Sequence, residues 1–223
     1  MSEWWTYRLT SFLLFSSRTY YRLFELYNVA IWPVQIAGVA TGVAIVALLV
    51  RRARHRDRIV VGLLSACWLW VAWAFLYQRY AQINWVAPWF AAAFALQALL
   101  LIALGIVAGR IVFLPPRSGR VRIAAVLVAV AVLGYPLLAP LAGRPWTTAE
   151  TFGVTPDPTA LATVAALSLV RGRLRWLLLI APLFWCAATA LTLWAMASPQ
   201  AVVVGAAAVL ALLPAVRGTR GAG

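Results

Sequence analysis

One acid, two amides and a tryptophan recur at helical spacing where the chain enters its first long apolar segment. They are Glu25, Asn28, Trp32 and Gln35. Their separations of three, four and three residues would align them along one side of a continuous helix. Polar groups entering an apolar helix are candidates for function. Glu25 is the candidate titratable or cation-binding group, with Asn28 and Gln35 as its helpers.

Two connections between apolar segments supply further candidates. Arg79, Asn84 and Trp85 lie in a short connection, and the longest connection, 141–158, carries aromatic, basic and acidic residues. A loop of that length in a compact domain is functional or disordered, and its aromatic and acidic residues favour order. The predicted outward-facing ligand pocket comprises Glu25, Asn28, Trp32, Gln35, Arg79, Asn84, Trp85, Arg144, Trp146, Glu150 and Asp157.

A structural interpretation accounts for the same residues without a ligand. Glu25 can pair with Arg22 or Arg79, and tryptophans form aromatic belts at membrane interfaces. Gln97, near the middle of an apolar run, is expected to make an interhelical hydrogen bond. Gly38 and Gly42 are spaced for close helix contact.

Composition indicates the element type that must position these residues. Of 223 residues, 65% are hydrophobic and 11% charged, whereas a soluble domain carries about 25% charged residues. The mean hydropathy is +0.90, and several apolar runs approach the roughly 20 residues that a helix needs to cross a bilayer. These values predict an all-α, polytopic transmembrane helix bundle forming one membrane domain, 1–223.

Within that domain, residues 1–28 predict an interfacial amphipathic segment. Tyr20, Leu23, Phe24 and Tyr27 follow helical spacing, with Ser17 as the predicted N-cap. Residues 29–216 predict a bundle of about seven spans: 29–50, 59–78, 87–113, 121–140, 159–170, 174–196 and 201–216. The fifth span is short, so it either crosses with tilted flanks or is re-entrant.

Arginines predict the orientation of the bundle. Fourteen lie in alternate connections and the C-terminal tail, in residues 51–58, 110–122, 171–175 and 217–220, and five lie on the other side. Because cytoplasmic loops carry the excess of basic residues, the N-terminus is predicted outside and the C-terminus inside. Four of the five acids then face outward. The net charge of +14 is thereby explained without nucleic acid.

Residue usage excludes several chemistries. All 19 basic residues are arginine, so no lysine Schiff base can form. The only histidine, His55, lies in an arginine cluster, which excludes a bis-histidine haem inside the bundle. Cys67 and Cys186 fall within apolar runs, where cysteine behaves as a small apolar residue. We therefore predict no catalytic residues, metal or cofactor, and expect a non-enzymatic protein.

Several stretches resemble a known family. They are Ser2–Tyr7, Arg18–Asn28, Trp32–Pro33, Arg79–Trp85, Gly143–Trp146 and Phe152–Thr159. In residue order over nearly the whole chain, they are similar to DUF6064, a family of uncharacterised bacterial multi-pass inner-membrane proteins. The resemblance implies a bacterial inner-membrane location and assigns no activity.

Three functions are compatible with these features. The first is a small polytopic protein that binds or passes a small solute through the outward-facing pocket. The second is a non-enzymatic partner or assembly factor that docks another membrane protein through tryptophan-rich faces. The third is an enzyme acting on a lipid-like substrate, for which Glu150 and Asp157 are the only outer-loop acid pair. The partners implied are the lipid bilayer and an unknown solute or membrane protein.

Overall fold

A computed structural model describes residues 16–198 and 200–216, and this part of the chain is helical, with one isolated β-bridge. Three helices continue into wider π-helical turns, at Val71–Tyr77, Ile102–Val107 and Val130–Gly134. The α-helices are α1 Ser17–Ala30, α2 Val34–Val50, α3 Arg56–Trp70, α4 Ala87–Leu101, α5 Gly119–Ala129, α6 Leu138–Leu141, α7 Pro156–Leu167, α8 Leu174–Ala195 and α9 Gln200–Val216.

Length and composition identify the elements that can cross a membrane. Within the described ranges, four helical stretches qualify: Arg56–Gln82, Ala87–Val107, Gly119–Leu141 and Leu174–Ala195. A fifth is obtained if the bent pair α1 and α2 counts as one span, and α9 is a shorter apolar helix. The structure therefore supports a helical chain with four or five candidate spans.

The first predicted span begins later than its sequence pattern suggested. The chain bends by 93° between α1 and α2, at a break over Ile31–Pro33. Proline has no N–H to continue a helical hydrogen-bond ladder, and α2 starts directly after Pro33. The prediction of one continuous helix carrying Glu25, Asn28, Trp32 and Gln35 was therefore wrong.

Helix α1 follows the predicted amphipathic pattern, but its aromatic face packs on protein. Tyr20, Phe24 and Tyr27 are buried, and the Phe24 ring stacks on Phe75 with centroids 5.0 Å apart. The cap is Ser16, whose side chain accepts from the Thr19 N–H, one residue before the predicted Ser17. The interfacial prediction for residues 1–15 falls outside the described residues.

The core is organised around one buried segment, residues 148–170, in which every residue is buried. It consists of an irregular loop, residues 148–155, which turns at Thr151–Thr155 and which we call the buried loop, followed by α7. Helix α7 packs against α5, α8 and α9. At about 1.5 Å per residue, a 12-residue helix spans only about 18 Å, less than the roughly 30 Å of hydrocarbon. Its burial explains why its composition shows no amphipathic face.

Two glycines of α2 form a notch that accommodates the buried loop. A Cβ at Gly38 would clash with the Phe152 carbonyl oxygen, and one at Gly42 would lie 2.5 Å from Val132 and 3.0 Å from the Phe152 ring. Gly153 faces Gly38 with a φ of +82°, a conformation that glycine adopts without strain. The small residues therefore permit close contact with a buried loop as well as with a helix.

Three arginine-rich connections meet at one end of the bundle, which we call the arginine-rich end. Phe113 pairs with Val170 in the β-bridge, and the Leu114 N–H donates to the Leu169 carbonyl at 3.0 Å. Arg56 donates to the Leu114 carbonyl oxygen, also at 3.0 Å. Backbone hydrogen bonds thus join the 110–122 and 171–175 connections, and the Arg56 side chain joins residues 51–58 to them.

Other interior predictions can also be compared with the structure. The Gln97 side-chain amide donates to the Leu178 carbonyl oxygen at 3.0 Å, which confirms the interhelical hydrogen bond. Cys67 and Cys186 are buried and free. Among the described residues, no group of three or more His, Cys, Asp or Glu side chains is arranged to hold a metal.

Candidate functional site

Asp157 lies near the start of α7 and is the most enclosed carboxyl in the described part of the chain, at 2% exposure. The preceding connection carries it inward, and Pro156 occupies the first helical turn, where its missing N–H costs nothing. Asp157 accepts three hydrogen bonds, from Trp185 Nε1 at 2.7 Å, Thr189 Oγ1 at 2.8 Å and Tyr135 Oη at 3.0 Å. These donors stabilise a carboxylate that is withdrawn from water.

Glu150 lies close to Asp157, and both side chains are buried, at 8% and 2% exposure. Glu150 Oε2 has no hydrogen-bond partner within the described chain, whereas Asp157 accepts three hydrogen bonds. Two carboxylates held together away from water are opposed by desolvation and by like-charge repulsion. The arrangement therefore favours one proton on the pair, with Glu150 as the neutral partner. Tyr20 and Tyr135 also face this pair.

A cavity of about 480 Å³ opens beside this pair, at the end of the bundle opposite the arginines. We call it the amide cavity. Its lining combines residues from α1, the break that follows it, α2, the end of the helical stretch Gly119–Leu141 and the connection before α7. They are Asn28, Val29, Trp32, Gln35, Pro136, Trp146, Thr147, Ala149 and Thr151.

Hydrogen bonds fix the two amides in the wall of this cavity. The Asn28 side chain donates to the Thr147 and Ala149 carbonyl oxygens, both at 2.8 Å, and Gln35 donates to the Asn28 carbonyl at 2.7 Å. The amide oxygens, Asn28 Oδ1 and Gln35 Oε1, are buried without a hydrogen-bond partner in the described chain. A buried acceptor without a partner is costly. Asn28 and Gln35 thus line a largely apolar cavity, and their two unsatisfied acceptors lie buried within its wall.

The amide cavity and the carboxyl pair are adjacent along the chain. Ala149 and Thr151 line the cavity, while Glu150 between them is buried with Asp157. The same short piece of the buried loop therefore contributes both to the cavity lining and to the carboxyl pair.

Glu25 does not belong to the amide cavity. It forms an ion pair with Arg22 at 2.7 Å, which is the structural alternative expected for it. Both residues line a separate groove of about 790 Å³, together with Arg144. The Arg144 guanidinium lies 3.9 Å above the Tyr21 ring centre.

The short connection before α4 stays apart from both spaces. Arg79, Asn84 and Trp85 line neither the amide cavity nor the Glu25 groove. Asn84 Oδ1 accepts from the Val86 N–H at 3.0 Å, so it caps the turn that leads into α4. Trp85 is exposed, as are Trp32, Trp89, Trp146 and Trp194. Such rings form an aromatic fringe at this end, which we call the tryptophan-rich end.

Sequence reasoning missed the donors around Asp157. Trp185 and Thr189 are four residues apart in α8, so they lie on one face of that helix. This spacing of an indole N–H and a hydroxyl in an apolar span was the available signal. The contribution of Tyr135 carried no comparable signal, because it depends on how α5 and α7 pack.

A family model matches residues 17–223, almost the whole chain. The chain belongs to DUF6064. This is a family of unknown function, so membership of DUF6064 assigns no role to the carboxyl pair or the amide cavity. No curated protein and no solved structure matches this DUF6064 chain.

Proposed function

We propose that this DUF6064 protein is a multi-pass protein of the bacterial inner membrane that binds a small molecule in the amide cavity from the outer side. The ligand class is an apolar or aromatic molecule with a hydrogen-bond donor, such as a hydroxyl, amide N–H or ammonium group. The observation that carries this proposal is the pair of unpartnered amide oxygens buried in the wall of a largely apolar, tryptophan-flanked cavity, where a small movement of the wall would let a ligand donor satisfy them.

The proposed topology has seven crossings, with the N-terminus outside and the C-terminus inside. Its support is that the arginine-rich connections lie at one end, whereas most exposed tryptophans lie at the other; Trp176 is the exception, exposed at the start of α8. Positive residues favour the cytoplasm and tryptophans favour the interface. The amide cavity then opens toward the outside.

The fifth proposed crossing combines the buried loop with α7, which follows it. Non-helical backbone is tolerated at membrane depth only where protein or a water-filled cavity surrounds it. Every residue from 148 to 170 is buried, and the Gly153 N–H donates to the Thr159 hydroxyl at 2.8 Å. Those two features support a crossing that is sheathed by the other helices.

Burial of this segment also favours binding over passage. The segment fills the centre of the described bundle with side chains such as Phe152, Leu161 and Val164, each at most 4% exposed. The amide cavity is a recess at one end of this packed interior. Glu25, neutralised by Arg22 outside the cavity, is not part of the proposed ligand site.

Ligand binding can be tested with a matched pair of fluorescent probes. The purified full chain in mild detergent is titrated with 1-aminoanthracene, which has an N–H donor, and with anthracene, which has none. We expect tighter binding of the amine to the wild type. Gln35→Met removes one of the two acceptors and should reduce this preference, whereas Trp146→Ala should weaken the binding of both probes by removing an aromatic wall.

Trp89→Ala is the matched control, because Trp89 is exposed at the same end but does not line the amide cavity. It should bind both probes like the wild type. Equal affinity of the wild type for the two probes, or loss of the preference in Trp89→Ala but not in Gln35→Met, would contradict the proposed site.

A further inference from the structure

Two arginines begin two helices at the arginine-rich end. Arg120 is in the first turn of α5 and Arg175 is in the first turn of α8. The bridge between Phe113 and Val170 brings the connections that precede these helices together. The charge of Arg175 also acts on Arg120, so the two like charges are near enough to repel one another.

Neither arginine has an acidic partner within the described chain. Arg175 is 9% exposed, and the Nε atoms of both residues are buried without a hydrogen-bond partner. The acids that the structure describes are engaged elsewhere, Asp57 with Arg56, Glu25 with Arg22, and Glu150 with Asp157. The Arg175 guanidinium lies 5.1 Å from the centre of the Trp176 ring, so within the described chain it has an aromatic contact but no carboxylate to balance its charge.

Helix geometry strengthens this imbalance. The N-terminus of a helix carries a partial positive charge and unsatisfied N–H groups. Neither α5 nor α8 has a side-chain cap or an acid in its first turn. Arginines at such positions oppose the dipole, whereas an anion there is stabilised by it.

We propose that Arg120 and Arg175, with the first turns of α5 and α8, form a binding site for a phosphate group. The guanidinium fork suits phosphate oxygens, and basic pockets between helices on the cytoplasmic side bind anionic lipid headgroups. An open apolar cleft of about 550 Å³ follows the outer face of α5, lined by Gly119, Arg122, Ile123, Val126 and Leu127. An acyl chain fits such a cleft, so the phosphate is that of an anionic phospholipid. This site is remote from the amide cavity and does not depend on it.

The test uses the delipidated full chain in mild detergent, with thermal unfolding followed by tryptophan fluorescence. Three probes are titrated at matched ionic strength: dihexanoylphosphatidylglycerol, dihexanoylphosphatidylcholine and inorganic phosphate. We expect the anionic lipid to raise the midpoint most strongly. Arg120→Gln and Arg175→Gln should each weaken its apparent affinity at least tenfold, while Arg171→Gln, which removes the same charge from an exposed position, should change it less than twofold.

Without lipid the sign of the effect should reverse. Arg120→Gln relieves the repulsion between the two cations, so its midpoint should exceed that of the wild type in anion-poor buffer and fall below it with the anionic lipid. If Arg175→Gln does not yield folded protein, the half-buried Arg120→Gln carries the test alone.

Each remaining outcome decides the proposal. Stabilisation by inorganic phosphate but not by the anionic lipid, lost in Arg120→Gln, retains the phosphate site and assigns it to a free phosphate ligand. Equal loss in Arg171→Gln and Arg120→Gln indicates a general basic surface and overturns the site. An absence of stabilisation of the wild type by all three probes overturns it as well.

Discussion

Glu150 and Glu25 show how residue environment separates two glutamates of similar sequence appearance. Glu25 is paired with Arg22 near the surface, whereas Glu150 is buried beside a second acid. An exposed ion pair contributes about 0–1 kcal/mol. A buried acid beside a carboxylate is held neutral by desolvation and by the neighbouring charge. Glu150, and not Glu25, is therefore the glutamate that can hold a proton in the protein interior.

Burial of Glu150 beside Asp157 predicts that stability falls as pH rises. Ionising both members of a buried carboxyl pair is opposed by desolvation and by like-charge repulsion, whereas the unfolded chain ionises its glutamates near about pH 4.3. Since the folded pair then binds a proton that the unfolded chain has released, the unfolding midpoint of the wild type in detergent should decline as the pH is raised from about 5.

Glu150→Gln should flatten that decline, because the neutral amide can still donate to Asp157 and cannot ionise. Glu25→Gln is the control and should keep the wild-type slope, since Glu25 lies outside the buried pair. An infrared carboxylic-acid band at neutral pH should be present in the wild type and in Glu25→Gln but absent from Glu150→Gln. An unchanged pH slope in Glu150→Gln would refute the shared proton.

The sequence indicated part of the site at this scale. Asn28, Trp32, Gln35 and Trp146 were proposed from residue type and spacing, and they line one cavity. The spacing argument assumed one helix, whereas two helices bring them together. Burial of Glu150 could not be predicted, because a loop of that composition commonly faces solvent.

At the scale of elements, the fit of α2 against the buried loop is the decisive contact. Gly38 faces the Phe152 backbone, and Gly42 faces the Phe152 ring. The backbone of the buried loop approaches α2 closely because neither glycine has a Cβ. This contact sets the position of the buried loop, which carries Glu150 past the amide cavity.

Gly38→Ala should therefore destabilise the protein by about 1–3 kcal/mol, the usual cost of adding volume to a packed core. The measurement is the unfolding midpoint in detergent, together with 1-aminoanthracene binding to the amide cavity. Gly205→Ala in α9 is the matched control, because nothing lies within 4 Å of its added Cβ. It should be neutral or stabilise slightly, since alanine favours helix by about 1 kcal/mol over glycine. Equal effects of the two substitutions would contradict the notch.

Element types were more predictable than element boundaries and bends. Long apolar runs identified the helices for two reasons. Apolar side chains are stable only when buried in protein or in lipid, and a backbone in lipid must form its hydrogen bonds within its own helix. The break at Pro33 had a signal in proline chemistry, but the 93° angle depends on packing against distant residues such as Thr147 and Ala149. The burial of α7 could not be predicted, because the sequence of a short apolar helix does not show which other helices surround it.

For the whole molecule, arginine placement connects sequence to orientation. The arginine-rich connections share one end through contacts such as Arg171 N–H to the Val112 carbonyl, at 2.9 Å. The opposite end carries the amide cavity, the Glu25 groove and exposed tryptophans. The proposed ligand site is accessible from outside only if the arginines lie in the cytoplasm.

Cysteine labelling of intact cells measures that orientation directly. Single cysteines at exposed Thr147, in the amide cavity, and at exposed Arg54, in the arginine-rich connection, are compared in a chain with Cys67 and Cys186 replaced by alanine. A membrane-impermeant maleimide should label Thr147→Cys in intact cells and Arg54→Cys only after the membrane is opened. Labelling of Arg54→Cys but not Thr147→Cys in intact cells would contradict the outward-facing cavity.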